Sequence, residues 1–261
     1  MSKQHTKKQS SNAAKISTPS YSDSKIAFFF AAVYGIILLF IAFKYHTVGD
    51  YDVETDFFWS YVPEAKELLK GKFLIDDFRG PGYPIMLALM GAVVKNYFSA
   101  GIILSVLSAS CVLFFSFSML RKFFPANFAF LGTLLVAVNP TFVRYSYTAG
   151  TDMLFNVFST AAVFFLLKEE ERKWKWILSA AVFASFAYLT RYNGIFVLVG
   201  IPIAILLFNI YKLPWRNRIL TTAVFFAVFV LVMSPWGIYC YHEKGSFFYN
   251  KNYINIAYEM Y

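Results

Sequence analysis

Long apolar runs separated by short polar stretches set the organisation of this chain. The runs lie near residues 26–44, 101–120, 126–142, 152–167, 175–190, 195–211 and 219–235. Each is close to the roughly 20 residues that a helix needs to cross a hydrocarbon core. The pattern predicts an all-α polytopic membrane protein with about seven transmembrane helices, plus amphipathic and re-entrant juxtamembrane helices. A further apolar stretch, residues 83–94, would rise only about 18 Å as a helix. It begins in Gly80-Pro81-Gly82-Tyr83-Pro84, which breaks any helix entering from the preceding loop.

Basic residues decide how 83–94 is placed. If it does not cross, the Lys-rich N-terminal tail, Arg121-Lys122, the 168–175 loop and the 212–218 loop all share one side. If it crosses, the last three groups move away from the tail. The positive-inside rule favours the first arrangement, with the N-terminus in the cytoplasm. Residues 83–94 then form a re-entrant or interfacial segment on the outer side. Such a segment is tolerated at membrane depth only where protein or a water-filled cavity satisfies it. The expected domains are a disordered cytoplasmic tail (1–25), a transmembrane module (26–235, with the outer loop 45–82) and an outer C-terminal segment (236–261). The run from Ile26 to Phe43 reads as an uncleaved signal anchor.

Composition agrees with this picture. The chain is 58% hydrophobic and only 15% charged, as expected of segments solvated by lipid. The net charge of +9 would suggest nucleic acid in a soluble protein, but the basic residues sit in short loops between spans, so no nucleic acid is expected. Cys111 and Cys240 make no disulfide framework. His5, His46 and His242 are scattered, with no metal-ligand spacing.

Candidate chemistry gathers on the outer side. The first loop carries Asp50, Asp52, Glu54 and Asp56, followed by Phe58, Tyr61, Val62, Ala65, Leu68 and Leu69 at helical spacing. This predicts an amphipathic surface helix. Asp56 either caps that helix or serves a site. A divalent cation on Asp52, Glu54 and Asp56 stays open. Asp152 stands at the mouth of the fourth span, as a cap or as a functional acid. Arg191 closes the fifth span on the same side, and Arg144 lies in the second outer loop. Arginine on the outer side is disfavoured unless it has a task, and binding a phosphate is the obvious one. The alternative for Arg191 is snorkelling to the interface.

Several of these stretches, taken in order, resemble a known group. They are Asp56 with Tyr61, Ala65, Leu68-Leu69 and Gly71; then Arg79-Gly80-Pro81-Gly82-Tyr83-Pro84; Asn139-Pro140 with Gly150-Thr151-Asp152; Leu189-Thr190-Arg191-Tyr192-Asn193-Gly194; and Ser234-Pro235-Trp236 with Gly245-Ser246-Phe247-Phe248-Tyr249-Asn250. The order and spacing resemble GT-C glycosyltransferases of the family-39-like group, which includes protein mannosyltransferases and lipid A aminoarabinose transferases.

The resemblance implies a module that binds a polyprenyl-phosphate sugar and works on the outer side. Asp56 matches the acid at the reaction centre and Asp152 the family's second acid. Arg191 matches the phosphate-binding arginine, with Arg144, Lys244, Tyr61 and Glu54 as further substrate-binding candidates. The acceptor would be a hydroxyl of a lipid, glycan or protein. Direct displacement by that hydroxyl, with Asp56 as base, would invert the anomeric centre. No cofactor is required beyond the open cation. Relatives of this kind are about twice as long, so a truncated or split form is expected, with a partner subunit supplying missing spans or an inactive remnant as alternatives. A transporter or flippase of lipid-linked substrates is the other reading, although the chain shows neither an inverted repeat nor a charge pair buried mid-span.

Overall fold

The computed structural model describes residues 21–47, 56–168 and 171–254. Among them are helices and connecting turns but no strand. Helix α1 spans Tyr21–Tyr45. A π-helical turn, Phe57–Tyr61, runs straight into α2 (Val62–Leu69). Then come α3 (Gly82–Val94), α4 (Tyr97–Phe123), α5 (Ala126–Ala137), α6 (Pro140–Tyr147), α7 (Thr151–Leu166) and α8 (Trp174–Thr190). A single 3₁₀ turn leads into α9 (Ile195–Leu206), and α10 (Trp215–Lys244) follows.

Helices α1, α4 and α10 are long and apolar enough to cross a membrane, and α5 with α6 makes a fourth span if the bent pair is one. The chain is an all-α membrane protein. The count of seven depends on α7, α8 and α9, of 16, 17 and 12 residues. Their rise of about 18–26 Å falls short of a full hydrocarbon core, so seven stays a proposal. Helix α3, at 13 residues, is shorter than a crossing requires, as its sequence predicts.

Two expectations need correction. The run 126–142 is not one straight span: it breaks between α5 and α6 with a bend of 65°. Asn139 causes the break by capping α6, its side chain accepting the Phe142 N–H at 3.1 Å, with Pro140 in the first turn. Conversely, Pro235 does not end the last helix. Helix α10 continues through it to Lys244. A proline here leaves the Leu231 carbonyl without its N–H partner. The Ser234 hydroxyl supplies the missing bond, donating to Leu231 O at 2.8 Å.

Packing explains the order of helices. Helix α4 lies against α1, α3, α5, α6 and α7, and α8 lies between α7 and α10. The contact face of α8 is made of small residues: Ala180, Ala181, Ala184, Ser185 and Ala187 are all fully buried. In lipid, small side chains of this kind allow helices to approach closely where no hydrophobic driving force operates. The two ends of the bundle differ. At one end, basic side chains tie the chain together. Arg121 pairs with Asp23 at 2.9 Å and also donates to Phe124 O, while Arg218 donates to the carbonyls of Leu206 and Leu213. The first loop, α3 and the turn after α8 gather at the other end.

Candidate functional site

The second end holds a cavity of about 680 Å³, walled by stretches that lie far apart in the chain. Asp56 and Tyr61 come from the π turn, Arg79 from the loop before α3, Asp152 from the start of α7, and Arg191 from the end of α8. Each stretch is placed by packing that the sequence dictates. Phe57 is fully buried and seats the π turn on α4 against Gly101, where a Cβ would come within 2.8 Å of its ring. Gly80 lies on the backbone at the end of α8: a Cβ there would stand 2.0 Å from the Leu189 carbonyl oxygen. That close approach carries Arg79 to the rim where Arg191 emerges.

Charges in the cavity are paired across these stretches. Arg79 Nη2 meets Asp56 Oδ1 at 2.7 Å, and Arg79 Nη1 meets Asp76 Oδ2 at 3.0 Å. Arg191 pairs with Asp152. The Arg79 guanidinium also lies over the Tyr61 ring at 5.4 Å. Tyr61 hydrogen-bonds Thr151, and burial pushes its pKa up to about 12, so it stays a neutral hydroxyl donor. Two arginines facing two or three carboxylates form a site that can exchange an internal partner for an incoming anion. A phosphate accepts bidentate guanidinium bonds as a carboxylate does.

The helix-cap alternatives fail for both acids. Asp56 makes no side-chain cap bond and faces Arg79 instead. The cap residue of α7 is Gly150, not Asp152. Of the predicted site residues, Asp56, Tyr61, Asp152 and Arg191 are brought together. Arg144 is exposed on α6, outside the cavity lining. Lys244 lines a second cavity, of about 520 Å³, between α2, residues 73–76 and the end of α10. Asp52 and Glu54 lie outside the described residues. Among the described residues, no three His, Cys, Asp or Glu side chains are placed to hold a metal ion.

Sequence reasoning quoted Arg79 within a motif without giving it a role in the site, and did not single out Asn252, yet both line the cavity. The position of Arg79 directly before Gly-Pro-Gly was the available signal, because glycines there permit the close backbone approach that fixes it. A third, mostly apolar cavity of about 580 Å³ opens beside the first between α5, α6 and α7, and shares Tyr145 and Asp152 with it.

One more acid lies behind the first cavity. Glu64 on α2 is only 8% exposed, and burial pushes its pKa up to about 7, against its hydrogen bond from Ser60. The Ser60 hydroxyl also reaches Asp76 at 3.3 Å. Glu64, Ser60, Asp76, Arg79 and Asp56 therefore form one polar chain between the second cavity and the first.

Residues 79–239, more than half of the chain, match the family model described as dolichyl-phosphate-mannose-protein mannosyltransferase. The match takes in Arg79, Asp152 and Arg191, while Asp56 and Asn252 fall outside it. No curated protein and no solved structure matches the chain.

Proposed function

The chain belongs to the dolichyl-phosphate-mannose-protein mannosyltransferase family, within the GT-C glycosyltransferases, and from that premise we propose that it moves a sugar from a polyprenyl phosphate to an acceptor hydroxyl at the extracytoplasmic face. The observation that carries this reading is the cavity in which Asp56, Arg79, Asp152 and Arg191 meet. The donor phosphate enters between Arg79 and Arg191 and takes the place of their carboxylate partners. The prenyl chain runs into the adjoining apolar cavity beside α5 and α7.

As Arg79 turns to the phosphate, the Asp56 carboxylate is released towards the acceptor. The acceptor oxygen attacks the anomeric carbon, its proton passes to Asp56, and the bond from the anomeric carbon to the phosphate oxygen breaks. The polyprenyl phosphate leaves with the electron pair, and the anomeric centre is inverted. A positioned base of this kind is worth about 10²–10⁴ in rate. The leaving group is already an anion, so guanidinium groups stabilise its growing charge without a general acid. Asp152 holds Arg191 until the phosphate arrives.

The test uses purified full-length protein in detergent, where transport across a membrane cannot register. With dolichyl-phosphate mannose and a hydroxyl acceptor, wild type transfers the sugar, and Asp56→Asn loses at least 10²-fold while eluting and melting as wild type does. Undiminished transfer by Asp56→Asn removes Asp56 from the mechanism. Absence of transfer by wild type across a panel of polyprenyl-phosphate sugars refutes the reading.

A further inference from the structure

The segment after α10 turns back on the bundle instead of continuing outward. Gly245 ends the helix in the left-handed region, at a φ of +74°, which glycine adopts without strain. Phe247 then fills a notch that exists because residue 237 is glycine, since a Cβ there would stand 2.4 Å from the Phe247 ring. Phe248 stacks on Phe229. These apolar contacts seat the segment, Tyr192 Oη donates to Tyr249 O at 3.4 Å, and the loop residue Asp77 makes most of the bonds at its far end. The Asp77 carboxylate accepts from Lys251 Nζ at 2.7 Å and from Tyr249 Oη at 2.6 Å, and the Asp77 carbonyl accepts the Lys251 N–H at 2.6 Å.

The Asp77–Lys251 pair is an unpromising source of stability. Its side chains are 33% and 39% exposed, and exposed pairs of this kind contribute little to folding. What the bonds do fix is the register of residues 249–252. The residue they deliver is Asn252, which lines the first cavity and donates its amide to Phe78 O at 3.2 Å. One amide hydrogen is used there. A second hydrogen and the side-chain carbonyl remain, a donor and an acceptor suited to a hydroxyl group.

We propose that Asn252 contacts a hydroxyl of the substrate in the first cavity and that Asp77 is the residue that positions it. The proposal rests on the cavity being a sugar-transfer site. The hydroxyl belongs either to the donor sugar or to the acceptor, and the kinetics separate the two.

Two readouts on full-length protein in detergent test it. The first needs no activity: amide hydrogen exchange over residues 247–254. Asp77→Ala speeds exchange at Lys251 about tenfold or more, and the reversed pair Asp77→Lys with Lys251→Asp slows it again. The second is transfer from dolichyl-phosphate mannose. Asn252→Ala and Asp77→Ala raise KM about tenfold for one substrate, with kcat within threefold, and the reversed pair restores KM. A rise confined to the donor assigns the hydroxyl to the donor sugar, and a rise confined to the acceptor assigns it there. Where protein binds the donor without turnover, Kd replaces KM. The proposal is overturned if Asn252→Ala leaves both constants within twofold of wild type, or if Asp77→Ala loosens the segment without changing either. If wild type neither binds nor transfers, the sugar-transfer reading falls and Asn252 with it, while hydrogen exchange still reports whether Asp77 sets the segment.

Discussion

Burying Glu64 makes the stability of this protein depend on pH in a way that one substitution removes. The carboxyl is 8% exposed on α2 and titrates at about 7 instead of the ordinary 4.5, chiefly because burial disfavours its charge. Asp76 adds to the shift, while Ser60 and Arg79 oppose it. Glu243 and Lys244 face the same cavity from α10. The folded state holds the proton more tightly than the unfolded chain does. The contribution of this group is therefore fully present below pH 4.5 and is lost as pH rises through 7. At about 1.4 kcal/mol per unit, the loss is about 3.5 kcal/mol at most, reduced by whatever relaxation the ionised state finds. In a chain of this size that corresponds to roughly 5–10 °C in melting midpoint. Glu64→Gln keeps an acceptor for Ser60 and removes the titration. The assay is tryptophan-fluorescence melting in detergent at pH 5 and pH 8 for both proteins. Wild type should lose several degrees more than Glu64→Gln over that interval, and the variant should be the more stable of the two at pH 8. Equal pH dependence in the two proteins would show that Glu64 does not titrate as its burial requires.

Further predictions concern the rim and the arginines. Gly80→Ala places a Cβ 2.0 Å from the Leu189 carbonyl, which a backbone contact cannot absorb, so the folded yield should fall sharply by size exclusion. Retention of wild-type yield and melting would contradict the close packing of that loop on α8. Arg79→Ala should cost at least 10²-fold in transfer and raise donor KM, with Arg79→Lys restoring only part because lysine lacks the planar fork. Arg144→Ala, outside the cavity, should leave transfer within twofold, and a larger loss would extend the site onto α6.

Much of the fold is legible in the sequence because lipid imposes a coarse rule: apolar runs become helices, and their ends fall at the first polar or helix-breaking residue. The predicted stretches 152–167 and 175–190 differ from α7 and α8 by a residue or so at the ends. The rule fails where one side chain overrides the run. Asn139 caps α6 and bends a stretch that hydropathy reads as continuous, and Ser234 rescues a carbonyl so that α10 passes Pro235. At the candidate site, Asp152 and Arg191 stand out because a charge at a span end is costly without a task, and Asp56 and Tyr61 stand out through the motif of the first loop. Arg79 does not stand out, being one of several basic residues in an acidic loop. Its significance comes from contact with the end of α8, more than a hundred residues away. Asn252 is hidden for the same reason, since only the Asp77 clamp brings it back.

The most direct test of the cavity as a lipid-phosphate site follows one exposed position on its wall. Asn193 lines the cavity and its side chain is exposed there, so Asn193→Cys, with Cys111 and Cys240 replaced by alanine, reports access by a water-soluble thiol reagent. Dolichyl phosphate should slow its modification more than tenfold, the Arg191→Ala background should abolish that protection, and Arg144→Cys should be modified equally with and without the lipid. Modification of Asn193→Cys at the same rate in the presence of saturating dolichyl phosphate would contradict the account.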